Sequence, residues 1–195
     1  MSSVSSIMRA VILRALDIFL AVIGLIVLWP LLIVLYVLGL FDTGSPLLRQ
    51  ERLGRNLEPF ILIKFRTMYK DTAMVASHLA SGSSITPLGA VLRRTKLDEL
   101  PQLWNVVCGE MSLVGPRPGL LNQIELTRAR SACGVYSVRP GITGLAQVSG
   151  IDMSTPELLA ETDAQMLREF SLVKYFKYIF MTISGKGKGD RVKAL

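Results

Sequence analysis

Asp98 and Glu99 stand side by side in "TKLDELPQLWNV" (residues 95–106), with Leu97, Leu100, Leu103 and Trp104 around them and Pro101 just behind. An aspartate can bind Mg²⁺, act as a general base, or attack phosphorus as a nucleophile. The surroundings bear on all three roles. Arg93, Arg94 and Lys96 lie close by in sequence, and Lys64, Arg66, Arg117 and Arg139 stand in other segments. Cations keep a carboxylate ionised and neutralise the phosphate oxygens that would repel an anionic attacker. A carboxylate, several arginines and Mg²⁺ are the components of phosphoryl transfer. Adjacent residues on a helix point about 100° apart, so the two carboxylates do not flank one bond symmetrically. One can face phosphorus while the other orients a metal or moves a proton. As an isolated dipeptide, Asp-Glu at a helix start commonly does no more than complement the helix dipole.

The elements that must position these groups follow from the neighbouring pattern. Residues 88–107 read as helical, with Pro101 as the first residue of a second helix. The carboxylates then sit at a junction, near free N–H groups that favour anions. In "SLVGPRPGL", Pro116 and Pro118 hold Arg117 between two fixed φ angles. The Gly/Pro-rich "VRPGITGLAQVSG" (138–150) has no helical period, and such loops approach ligands through their backbone. Upstream, "PLLRQERLG" and "PFILIKFRTM" read as two strands around a turn at "GRNLE". Alternation puts Ile61, Ile63 and Phe65 on one face and Leu62, Lys64 and Arg66 on the other. That second face is either a two-cation site or a solvated strand face.

Residues 71–86 read as a mobile polar loop, in which His78 has no assigned role. Residues 154–184 read as helical and amphipathic, with Thr155, Pro156 and Glu157 as cap and first turn. Lys174 and Lys177 stand among Tyr and Phe there, as in a helix lying on a membrane surface, or as in core packing.

The chain has 195 residues and a formal charge of +7. That suits one domain with an anchor and an anionic partner: nucleic acid, a phosphorylated small molecule or an acidic membrane face. Only 7% of residues are aromatic, which argues against nucleic acid, where bases stack on aromatic side chains. Cys108 and Cys133 form no CxxC pair and there is one histidine, so a Cys/His metal site is not expected and both thiols read as free in a reducing compartment.

Residues 18–41 carry no charge and are long enough to cross a bilayer as a helix. The run is too long for a signal-peptide core and no cleavage site follows, so it is expected to be retained. Hydropathy alone favours a span, since proline is tolerated in spanning helices. However, Arg9 and Arg14 precede the run and Arg49, Arg52 and Arg55 follow it. The positive-inside rule places both flanks on the cytoplasmic side. A helix kinked at Pro30 that enters and leaves by one face satisfies both. Asp17 at its entrance either pairs with Arg14 at the headgroups or is a solvated helix-start charge.

Together, "KFRTM", "LRRTKLDELPQLWNVVCGEMSLVGPRP" and "VRPGITGLAQVSG" resemble the bacterial sugar transferase family, the monotopic phosphoglycosyl transferases that start glycoconjugate assembly. The resemblance runs from about Arg14 to Thr182 and implies a minimal catalytic form. It implies that a UDP-sugar donates its sugar-1-phosphate to undecaprenyl phosphate with loss of UMP. The aspartate matching Asp98 attacks the β-phosphorus and forms a covalent intermediate, Glu99 completes the dyad, and Mg²⁺ sits at the aspartate. The implied substrate-binding residues are Lys64 and Arg66 in "KFRTM", Arg93, Arg117, Arg139, Gln147 and Asp163. Pro116 and Pro118 frame the uridine end of the donor. The re-entrant helix would break at Pro30. The chain departs from the pattern at Trp29, Met166, Tyr175 and the loop "GIDMSTPELLAE", so the sugar is not legible.

The expected fold is α+β and mostly helical: a proline-broken re-entrant membrane helix (1–44), then a catalytic domain (45–184) with a short β-hairpin and amphipathic helices on the membrane surface, then a basic flexible tail (185–195). The expected partners are a UDP-sugar, undecaprenyl phosphate, membrane lipids and downstream glycosyltransferases, with no nucleic acid. A homodimer is compatible with the sequence, which carries no mark of one. The expected place is the cytoplasmic face of the bacterial inner membrane. Two other readings stand beside this one: a membrane scaffold of the same fold without turnover, and a single-pass protein with a basic domain that binds lipid or nucleic acid.

Overall fold

The computed structural model describes residues 2–72 and 82–185. His78, most of the polar loop and the basic tail lie outside the described residues. Helix α1 (Ser2–Thr43) comes first, with Pro30 inside it and the helical assignment running through. The segment Ala10–Thr43 is long and apolar enough to cross a membrane, and little of it is buried. The predicted hairpin follows: β1 (Leu47–Leu53) pairs antiparallel with β2 (Pro59–Phe65), Gln50 opposite Leu62. At the turn, Asn56 takes the left-handed conformation (φ 57°), which asparagine tolerates better than most residues.

The predicted helix over 88–107 is divided into α2 (Pro87–Thr95), a 3-10 turn (Leu97–Glu99) and α3 (Gln102–Cys108). Pro101 sits at the cap position of α3, where its missing N–H costs nothing. Next come β3 (Ser112–Val114), α4 (Ile124–Ala132), β4 (Gly141–Thr143) and α5 (Leu145–Ser149). The stretch 138–150 was expected to be non-helical. It holds a strand and a five-residue helix, too short for any period to register. Residues 154–184 form two helices, α6 (Pro156–Arg168) and α7 (Leu172–Ile183), and Thr155 does not cap α6 with its side chain.

The core forms where α1 meets the rest. Ala21 packs with Phe60, Leu62, Val106 and Met111. Leu35 packs with Phe65 and Leu92. Val114, Met166, Tyr175 and Tyr178 make a third cluster, which Leu13 and Leu20 of α1 join. Asp17 is 3% exposed, so it is neither solvated nor paired with Arg14. Its Oδ1 accepts from the Leu113 N–H (3.0 Å) and the Tyr175 hydroxyl (2.8 Å). Burial and Asp17 push the Tyr175 hydroxyl up, so it remains a proton donor. Arg14 donates to the carbonyls of Val106, Val107 and Met111, a cation at the C-terminal end of α3 that suits the helix dipole. At the far end of α1, Asp42 accepts from Thr86 Oγ1 (2.7 Å), which also caps α2.

Candidate functional site

Asp98 lies in the 3-10 turn between α2 and α3 and is 8% exposed. The left-handed Lys96 (φ 59°), where α2 stops, turns the chain into it. A left-handed lysine is unusual outside glycine-rich turns. In a 3-10 turn adjacent side chains diverge by about 120°, so Asp98 and Glu99 face different neighbours. Glu99 accepts from Arg117 Nη2 at 2.7 Å, with both side chains largely buried. Burial pushes the Lys96 ammonium below the usual lysine range, Glu99 opposing and Arg117 reinforcing the shift.

The strand carrying Lys64 and the helix carrying Arg93 both pack against the Leu97–Glu99 turn. Lys64 is 7% exposed, so its face of β2 is not a solvated one. It follows Phe60 and Leu62 along the face turned to the core. Arg93 Nη1 donates to Thr67 Oγ1 (3.4 Å). Asn105, 1% exposed, fixes α3 to β2: its amide donates to the Ile61 carbonyl (2.7 Å) and its oxygen accepts from the Ile63 N–H (3.1 Å). The side chain thus acts as a strand partner at the edge of β2 that β1 leaves open.

The loop from Pro116 to Gly119 is held through its four carbonyls by three elements, β4, α4 and β1. Pro116 O accepts from Gly141 N–H (2.9 Å), Arg117 O from Arg130 Nη1 (2.7 Å), Pro118 O from Arg52 Nη1 (3.1 Å) and Gly119 O from Leu53 N–H (3.0 Å). Its base is the parallel pairing of β3 and β4, where Gly115 and Gly141 touch backbone to backbone. A Cβ on Gly141 would stand 2.0 Å from Gly115 N, which explains a glycine in each of the two motifs. A rigid backbone therefore presents Arg117 to Glu99.

Arg130 has no signature in the sequence, since its partners are far away in the chain. It is 1% exposed and donates from Nε (3.0 Å) and Nη2 (2.7 Å) to Asp163 Oδ2, itself 0% exposed. Burial raises the Asp163 carboxyl while Arg130 opposes the rise. Asp163 is therefore linked to the loop that carries Arg117 through Arg130. The other sequence-chosen residues lie outside the Asp98–Glu99–Arg117 group. Arg139 donates to the Gly109 carbonyl (2.7 Å) beyond the C-terminus of α3, the end of that helix remote from Asp98. Arg66 turns back to the Ser45 carbonyl (2.9 Å). Gln147 donates weakly to the Gly115 carbonyl (3.3 Å), and its Oε1 is buried without a hydrogen-bond partner.

No group of three or more His, Cys, Asp and Glu capable of holding a metal occurs among the described residues. A protein-only cage is thus absent there, but Asp98 alone fits Mg²⁺, which commonly binds through one or two carboxylates plus substrate phosphates. Buried carboxylate, paired glutamate and surrounding cations form a site for an anionic phosphorus centre.

The sequence profile described as bacterial sugar transferase matches residues 8–188. The chain is 36% identical over 202 residues to the exopolysaccharide production protein PSS of Rhizobium leguminosarum bv. phaseoli, covering 93% of this chain and 100% of that one. It is 36% identical over 180 residues to the UDP-glucose:undecaprenyl-phosphate glucose-1-phosphate transferase of Caulobacter vibrioides (87% and 67%). It is also 36% identical over 179 residues to the UDP-galactose-lipid carrier transferase of Erwinia amylovora, of which it covers 37%.

Proposed function

The chain belongs to the bacterial sugar transferase family, and from that membership we propose that it transfers a sugar-1-phosphate from a UDP-sugar to undecaprenyl phosphate and releases UMP. The step serves the assembly of an exopolysaccharide or related glycoconjugate. The names of the Caulobacter and Erwinia relatives, a glucose-1-phosphate transferase to undecaprenyl phosphate and a galactose-lipid carrier transferase, support the substrate pair. The observation that carries the reading is the buried Asp98 beside the Arg117–Glu99 pair on a fixed loop.

In the first half-reaction a carboxylate oxygen of Asp98 attacks the β-phosphorus of the donor. The bond from that phosphorus to the oxygen bridging it to the α-phosphate breaks, and UMP leaves with the electron pair. In the second, an oxygen of the lipid phosphate attacks the same phosphorus. The acyl-phosphate bond breaks, Asp98 returns as a carboxylate, and polyprenyl diphosphosugar leaves. A covalent intermediate lets a soluble and a lipid substrate use one carboxylate in turn. Lys64, Arg93 and Arg117 supply positive charge for the phosphate oxygens, Arg117 toward the donor, with the loop prolines shaping its approach. Asp98, with Glu99 adjacent, would hold Mg²⁺, which neutralises diphosphate charge when bound.

Residues 1–44 act as the anchor, 45–184 as the catalytic domain and 185–195 as the tail. The anchor enters and leaves by the cytoplasmic face, turning at Pro30. Support comes from the two residues that flank its charge-free run: Asp17 bonds to β3 and α7, and Asp42 to the residue before α2. Both ends thus dock on one globular unit. A spanning helix would carry one of them across about 30 Å of hydrocarbon. The product passes to glycosyltransferases that extend it.

The test is UMP release by the membrane-purified protein with Mg²⁺, undecaprenyl phosphate and a panel of UDP-sugars, beside Asp98→Asn. UMP from one donor, absent in the variant, is the expected result. Equal release by the variant, or a phosphosugar adduct in it, rejects Asp98 as nucleophile.

A further inference from the structure

A cavity of about 330 Å³ opens beside Glu99. Its lining is mostly apolar. Lys96, Thr95 and Glu99 line it together with Thr143 and Thr182, whose hydroxyls bond to each other, and leucines and isoleucines from the Leu97–Leu100 turn, α3, β3, β4 and α7 supply the rest. Such a lining, one cation at the head of an apolar channel, suits an amphiphile with an anionic head and not a nucleotide, whose base and ribose would need polar partners along the walls. Glu99 does not repel such a head outright, because Arg117 neutralises it at 2.7 Å.

The apolar walls also lead to the membrane elements. Leu103 packs over Gly24 of α1, where a Cβ would meet its Cδ1 at 3.0 Å. Leu113, another wall residue, is tied by its N–H to Asp17 of α1. Ile179 and Ile183 come from α7, whose Val173, Phe176, Phe180 and Ile183 form an exposed apolar stripe. The cavity therefore joins Glu99, the neighbour of Asp98, to elements that carry exposed apolar surface.

Resting on the reaction proposed above, we infer that this cavity is the acceptor site: the phosphate of undecaprenyl phosphate sits at Lys96, and its first isoprene units lie between α3, β4 and α7 before the chain passes into the bilayer. A bilayer phospholipid offers the same chemistry in outline, and the experiment separates the two.

The full chain is placed in nanodiscs of phosphatidylethanolamine and phosphatidylglycerol with a diazirine-bearing polyprenyl phosphate. After irradiation the labelled peptides are identified by mass spectrometry. Label is expected on residues 97–103 and 172–183. Undecaprenyl phosphate should displace it, undecaprenol without phosphate should do so poorly, and extra phosphatidylglycerol should not. Label confined to α1, or displaced equally by phosphatidylglycerol, overturns the site. Ile183 is 80% exposed, so Ile183→Asp at the mouth leaves the fold intact. It should raise the KM for the acceptor about tenfold, the value of one apolar side chain's burial, with the donor KM unmoved. An equal rise in both KM values overturns the assignment. A burst of UMP from wild-type protein with donor alone tests the chemistry separately. A burst with label elsewhere removes only the acceptor site, whereas no burst removes the reaction and the site with it.

Discussion

Arg117 is the residue on which the site's geometry turns. Its side chain meets Glu99, its carbonyl meets Arg130, and prolines fix the backbone on either side. Arg117→Ala removes a charge-assisted bond worth about 1.5–3 kcal/mol. We expect the donor KM to rise about 10- to 100-fold, with membrane association unchanged in a vesicle flotation assay. Equal loss of both would mean a folding defect. The Arg130–Asp163 pair acts behind it. Asp163→Ala leaves a buried guanidinium uncompensated and should cost about 3–5 kcal/mol, seen as a lower unfolding midpoint in detergent. Arg130→Lys keeps the charge but cannot reach Asp163 and the Arg117 carbonyl together. Its donor KM should rise by a larger factor than its kcat falls, which a merely structural role would not produce. The sequence marked Asp98, Glu99 and Arg117, because motif spacing exposes them. It did not mark Arg130, because an ion pair spanning 33 positions leaves no local pattern.

At the scale of elements, the dyad depends on how α3 and the hairpin are joined. Asn105 spans that joint, satisfying a backbone donor and an acceptor on β2. Asn105→Ala strands both and should destabilise the protein by about 3 kcal/mol, with a lower thermal midpoint and lower kcat, since the Lys64 strand is no longer fixed to α3. Asn105→Asp should not rescue it, because a carboxylate cannot donate to the Ile61 carbonyl. The hairpin, the two helices around Pro101 and the amphipathic C-terminal region were legible from alternation, proline placement and period. The division of 154–184 into two helices and the helix over 145–149 were not. Tertiary contacts decide such short pieces, α5 packing on α6 and α7.

Helix α1 bonds to the rest of the protein on both sides of its charge-free run, through Asp17 and Asp42. If the anchor is re-entrant, cysteines placed at Ser3 and at Ser45, after Cys108 and Cys133 are changed to serine, will both be labelled only from the cytoplasmic side. Labelling of Ser3→Cys from outside the cell rejects the one-face topology. Removal of Mg²⁺ with EDTA should abolish UMP release while leaving the protein in the membrane, because no anchoring contact uses a metal-binding pair of carboxylates. Retained release in EDTA rejects the metal at Asp98.

By itself the sequence pointed to a sugar transferase, a long apolar N-terminal helix and the order of the larger elements. These depend on residue type and local spacing: a charge-free run, adjacent carboxylates, prolines flanking an arginine. Only the tertiary structure decided which charges meet. It buried Asp17 under Tyr175 when a solvated or Arg14-paired aspartate was expected. It sent Arg14 and Arg139 to the C-terminal end of α3 and Arg66 to the hairpin base, and it drew Arg130 beneath the loop that presents Arg117. A cation's sequence position says that it can hold an anion or a carbonyl. Which of the two it holds depends on the unsatisfied groups that folding brings within reach, and burial makes each unmet partner too costly to leave.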